Sequence, residues 1–310
     1  MKNALSQSRQ ATRPDIASIH FFGIVRSEWL KVCRMRQIRM LFFLLLVVVS
    51  LPDIILLAFG NIQAAFGSPH AALLSATSGL AVVRASLGFF LLIVTAYVYG
   101  HEYQYGTIRI VLARGVGRLQ LLFGKLLAVA GVALVVLGLC LLLSFLWLAV
   151  ILAVRVGSFD TLSTLAWPSI GLYILTILTS MGATMLVAVT FTSLGRSLPF
   201  ALSASLLWFP VDNFLPLLCQ LGYMLTHQSL WLNLTQYQLG PVLNYMPVGW
   251  LGDTVFPIGT TPYAAAVVQG KSVAQIATLS HVHVWLVIGV YSVIFLVSSM
   301  LLTAKREVRE

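Results

Sequence analysis

Three charged side chains fall inside stretches that are otherwise almost wholly apolar, and they are the first candidates for chemistry: Asp53, Arg84 and Asp212. A charge in hydrocarbon is costly enough that its default reading is functional, as part of a substrate path or a gate. The competing reading is structural. Asp53 and Arg84 both fall in the outer halves of their segments, so they could pair with each other, or each could reach interfacial water along its own stem. Asp212 stands between Pro210 and Pro216 and is open to the same two readings. A proton relay would need more intramembrane carboxylates and histidines than these.

Spacing excludes several other chemistries. His281-Val282-His283 offers two imidazoles, but i and i+2 point to different faces of a helix and no cysteine or carboxylate cluster accompanies them, so no metal site is expected. Gly124-Lys125 looks like the end of a phosphate-binding loop. Leu119, however, stands where the first glycine of G-x-x-x-x-G-K-[ST] belongs, and Leu126 replaces the hydroxyl residue. Neither a G-x-S-x-G elbow nor an H-E-x-x-H helix occurs, and no catalytic residue is assigned. Cys33, Cys140 and Cys219 are too scattered for a redox pair or a disulfide framework.

The elements that must hold the three charges are membrane helices. With 59% hydrophobic and 9% charged residues in 310, the chain has more apolar surface than one water-soluble core could bury. Its apolar stretches exceed the roughly 18 to 20 residues that cross a ~30 Å hydrocarbon core as a helix. Six spans are expected, at residues 40–59, 79–100, 119–153, 168–193, 199–219 and 282–303. The third, at ~1.5 Å per residue, is too long for the bilayer and must tilt or project. Thr176, Ser180 and Thr184, four apart on the fourth, form a stripe of small polar residues suited to close helix packing.

Residues 1–15 read as a polar, disordered tail that is retained, because the first apolar stretch starts too late and runs too long for a signal peptide. Residues 16–39 form an amphipathic helix. Phe22, Val25, Trp29 and Val32 share one face, while Ser27, Lys31 and Arg34 take the other, a pattern suited to lying at the headgroups. Residues 222–280 form the long external segment, rich in proline and aromatics, which either packs on the membrane or dips into it. Residues 305–310 are a short tail. Sixteen of the nineteen Lys and Arg fall in the N-terminal segment, in 101–125, in the turn at 194–198 and in the C-terminal tail, so both termini are expected in the cytoplasm. The net charge of +10 then reflects topology and attraction to anionic lipid, and no nucleic-acid partner is expected.

Between the second and third spans the chain reads His101-Glu102-Tyr103-Gln104-Tyr105-Gly106-Thr107-Ile108-Arg109, then Arg114, Arg118 and Gly124-Lys125. This stretch, with the basic Val25-Arg26-Ser27-Glu28-Trp29-Leu30-Lys31 before it, resembles the permeases of the ABC-2 type exporter family. The motifs cover about residues 22–36 and 101–125, and the remaining likeness is architectural. The resemblance implies an all-α polytopic permease with six transmembrane helices. It implies an N-terminal elbow carrying Trp29, Lys31 and Arg34, and a cytoplasmic loop at 101–118 that touches an ATPase through Glu102, Tyr103, Gly106, Thr107, Arg109, Arg114 and Arg118. Physical reading of the same loop adds that Gly106-Thr107 can end one helix and cap the next. Glu102 either latches the loop through an ion pair with Arg109 or another basic group, or serves as a solvated anchor.

The resemblance further implies two ATPase subunits that carry ATP and Mg, no cofactor on this chain, a second permease that is identical or homologous, and a multi-pass site in a prokaryotic inner membrane. Two other functions fit the composition. A gradient-driven secondary transporter or channel would work without ATP, and a membrane anchor would bind an ATPase yet move nothing.

Overall fold

A computed structural model describes residues 21–107, 110, 113, 115–157, 159–160, 165–252, 261 and 279–305. The expected tail at 1–15 lies outside them, as do Arg109, Arg114 and all of the expected tail at 305–310 but Lys305, which ends the last helix. Among the described residues every regular element is helical. The elbow α1 (Phe21–Arg34) is followed by α2 (Arg36–Phe59), a short α3 (Ile62–Phe66), α4 (Pro69–Gln104) and α5 (Arg118–Ile151). Next come α6 (Trp167–Gly195), α7 (Leu198–Thr226), a short α8 (Leu230–Thr235), α9 (Leu239–Leu251) and α10 (His281–Lys305). Six of these, α2, α4, α5, α6, α7 and α10, are long and apolar enough to cross a membrane.

Three spans, the second, third and fifth, begin or end well away from where hydropathy suggests, for local reasons. The second starts at Pro69 rather than near residue 79, because Ser68 caps it: its hydroxyl accepts from the Ala71 N–H at 3.1 Å, with proline at the first helical position, where its missing N–H does no harm. The same helix runs on to Gln104, so His101–Gln104 are its last turn and not part of a loop. It stops where Gly106 takes a left-handed φ of +65°. The third span continues from α5 through a π-helical turn at Leu152–Val156, giving 39 residues or about 58 Å, almost twice the hydrocarbon core.

The fifth span survives Pro210 and Pro216 and extends to Thr226, well past residue 219. A proline inside a helix removes one backbone bond, and neighbouring polar side chains can take up the loss in a membrane bundle. Asn213, between the two prolines, adds a side-chain bond to the helix, donating through Nδ2 to the Phe209 carbonyl at 2.9 Å.

The second span is the hub, packing against the first, third, fourth and fifth. Gly100 lets the fifth approach it: a Cβ there would stand 3.0 Å from Leu198 Cα. One apolar core joins the first four spans through Val49, Leu87, Leu91, Val136 and Ile177; a second joins α6, α9 and α10 through Val187, Val242, Met246 and Val287. Arg155, near the end of the third span, donates to the Leu57 and Gly60 carbonyls, closing the last turn of the first.

Candidate functional site

The elbow lies along the start of the third span, and glycines decide how closely. A Cβ on Gly124 would meet Ile24 at 2.8 Å, and one on Gly131 would overlap the Trp29 ring. Seven residues apart, these glycines share one face of α5 and form a shallow cradle for α1. The buried row of the elbow is Ile24, Glu28 and Val32, with Trp29 partly buried beside it, while Phe22 is exposed. The expected apolar face therefore turns by about one residue, and a carboxylate sits in its centre.

That carboxylate belongs to a cluster of four. Lys125 Nζ lies 2.9 Å from Glu28 Oε2 and 2.8 Å from Glu102 Oε1. Lys31 pairs with Glu102 and stands 3.7 Å from Glu28. Glu28, Glu102 and Lys125 are almost fully buried, and Lys31 faces solvent with over a third of its side chain exposed. Two acids and two bases make the group neutral, which is the condition under which charges can be held away from water. Glu102 Oε2 is buried with no donor among the described residues. Tyr99 closes the cluster from below: its hydroxyl donates to the Leu122 carbonyl at 2.8 Å, and the Lys125 ammonium lies 5.8 Å from its ring centre.

Glu102 is thus not a solvated anchor but an ion-pair latch on other basic groups, Arg109 lying outside the described residues. It binds lysines from the elbow and from the third span, and joins both to the end of the second. The other expected loop residues distribute differently. Tyr103 lies near Arg196 and Arg118, and Arg118 reaches the Ala304 carbonyl at 3.4 Å, linking the third span to the end of the sixth. Gly106 and Thr107 are exposed. Arg34 is exposed at the end of the elbow and takes no part in the cluster.

The intramembrane charges also separate. Asp53 and Arg84 do not pair. Asp53 lines a cavity of about 220 Å³ between the first four spans, with Ser75, Ser144 and Trp167. Arg84 donates instead to Ser180 Oγ at 2.9 Å and to Asn244 Oδ1 at 3.1 Å, and the Tyr173 hydroxyl lies beside it. Asn244 donates in turn to Asn213 Oδ1 at 3.0 Å. Arg84 and Asp212 line a second cavity, of about 80 Å³, together with Ser180, Thr184, Asn213 and Asn244. Ser180, expected as a packing residue, is an acceptor for Arg84. Asn244 comes from α9, so a helix of the expected external segment inserts among the spans to reach this site.

Sequence reasoning missed Glu28 and Lys125 as partners, and Asn244 and Asn213 altogether. The first two had a signal: an acid and a base in the two quoted motifs, Glu28 beside the apolar face of the elbow and Lys125 among the leucines that open the third span. The asparagines had none, since an uncharged amide in a proline-rich segment looks like any loop residue.

Six helices long and apolar enough to cross a membrane, with an N-terminal helix tied to them through a neutral ion-pair cluster, fit a membrane transport permease. The profile of the family described as ABC-2 family transporter protein matches residues 24–210, from the elbow into the fifth span and so more than half of the chain. The chain belongs to this family. Its permeases are membrane components that in general work with a separate ATP-binding subunit. A search of curated proteins returned no match.

Proposed function

We propose that this permease is the membrane-spanning half of an ATP-driven exporter in a prokaryotic cytoplasmic membrane, with both termini in the cytoplasm. Two ATPase subunits, holding ATP and Mg, dock on residues 101–118, and a second permease, identical or homologous, completes the substrate path. The observation that carries this reading is the buried cluster of Glu28, Lys31, Glu102 and Lys125. Glu102 lies in the last turn of α4, at the start of the 101–118 segment and two residues before the helix ends. A displacement of that segment cannot be absorbed locally. It must move Lys31 and Lys125, and with them the elbow and the third span, or break charge pairs held away from water. The unpaired Glu102 Oε2 is the acceptor that a rearranged segment would engage.

The test begins with the tagged chain purified from its native membranes in mild detergent, with its partners identified and ATP hydrolysis measured. A stoichiometric ATPase is expected. Glu102→Gln and Arg109→Ala should lower coupled transport while the chain still inserts in the membrane. A chain isolated alone and inert toward ATP, yet passing solute down a gradient in liposomes, would overturn the proposal in favour of a secondary transporter. A bound ATPase with no transport in either direction would leave only an anchor.

A further inference from the structure

The small cavity among the second, fourth and fifth spans and α9 holds two opposite charges that do not meet. Arg84 reaches Ser180, Asn244 and Tyr173, all uncharged, and among the described residues no carboxylate comes within ion-pair distance of it. Its guanidinium has five N–H groups, more than these contacts use, and its full charge remains uncompensated. Asp212 lines the same cavity and accepts from the Gly240 backbone N–H, with no cation against it among the described residues. Pro216, four residues on, has no N–H to donate to the Asp212 carbonyl, which faces Gly240 as well. The cavity therefore offers a donor fork on one side and acceptors on the other, bridged by Asn244 and Asn213.

Depth and surroundings limit what could fill it. Arg84 lies eighteen residues, or about 27 Å, along its helix from Glu102, near the far side of a ~30 Å core. The lining is otherwise apolar, with Trp208, Phe209 and Leu243. Phe89, its ring tilted by 51° against that of Phe209 with centres 4.4 Å apart, is exposed on the outside of the bundle, as are Leu207, Val211 and Phe214. A polar head could sit within, while tails run out over this face. Gly88, one turn beyond Arg84, lines the cavity, and a Cβ there would meet nothing within 4 Å.

We infer that this cavity binds the head of a zwitterionic amphiphile, an anionic group on Arg84 and a primary ammonium at Asp212. A compact head carrying both charges a few bonds apart neutralises both residues at once, which a simple anion would not. The site goes beyond the transport reading and does not depend on ATP.

The experiment is native mass spectrometry on the full chain with whatever subunits accompany it, without ATP, titrated with phosphatidylethanolamine, with phosphatidylglycerol and with free phosphoethanolamine. Wild type should retain phosphatidylethanolamine about tenfold more tightly than phosphatidylglycerol. That preference should vanish in Asp212→Asn, and binding of both lipids should fall about tenfold in Arg84→Gln. Gly88→Leu fills the cavity without touching either charge, and should abolish the specific adduct in a protein that is still folded. Free phosphoethanolamine competing for the site would identify the head alone as the ligand, and competition by the lipid only would identify a membrane amphiphile; either supports the site. Equal affinity for the two lipids, a preference untouched by Asp212→Asn, or an adduct unchanged in Gly88→Leu would overturn it. Loss of ATPase coupling with lipid binding intact would count against the exporter reading alone.

Discussion

Lys125→Met is the sharpest probe of the buried cluster. The Lys125 side chain is 3% exposed and lies within 3 Å of both Glu28 and Glu102. Replacing it by an apolar side chain of similar length leaves two buried carboxylates served by Lys31 alone, so one negative charge is held out of water without a partner. Breaking a buried pair in this way costs about 3–5 kcal/mol. Lys31→Met removes a lysine that is 36% exposed, and water reaches the vacated space, so its effect should be about 1 kcal/mol or less. Unfolding in mixed micelles by titration with SDS, followed by tryptophan fluorescence, measures both. The double variant Lys125→Met with Glu102→Gln restores neutrality, leaving Glu28 with Lys31. It should be more stable than Lys125→Met alone, by about 2 kcal/mol of coupling. A loss below about 1 kcal/mol for Lys125→Met, or strictly additive effects in the double variant, would refute the claim that neutrality holds the cluster together.

Gly131→Leu should displace the elbow, because its side chain overlaps the Trp29 ring; a red shift in tryptophan emission is expected, and Trp29→Ala should relieve the loss of stability that accompanies it. Thr190→Val removes a hydroxyl that bonds the Phe295 carbonyl at 2.9 Å and joins the fourth span to the sixth, so the same SDS titration should read a loss of about 1 kcal/mol. Single cysteines at Thr107 and Gln228, both exposed, should report topology in right-side-out vesicles. A membrane-impermeant maleimide should label position 228 and spare 107, and the reverse pattern would invert the orientation assigned from basic residues.

The membrane class and six spans were legible because they rest on local quantities, the length and apolarity of each stretch. Helix ends were less so. Hydropathy placed the second span near residue 79, since Ser68, Pro69 and the small polar residues after them add little apolar signal, though they fix the helix start through capping. The quoted motifs also pointed to the right region. Gly124-Lys125, which fails as a phosphate loop, earns its place otherwise: the glycine admits Ile24, and the lysine neutralises Glu28 and Glu102.

A helical membrane protein and its likeness to a family could be read from the chain alone, because length, apolarity and motif residues add up locally, and the sidedness expected from its basic residues rests on the same kind of count. Partnership was decided only by the tertiary structure. Hydropathy offered Arg84 one partner, Asp53, and it took Ser180 and Asn244, 96 and 160 residues away, instead. Glu102 took Lys31 and Lys125. A side chain's partner depends on which faces of which helices pack together, and that is set by small features such as Gly100, Gly124 and Gly131, whose meaning appears only when another helix lies against them.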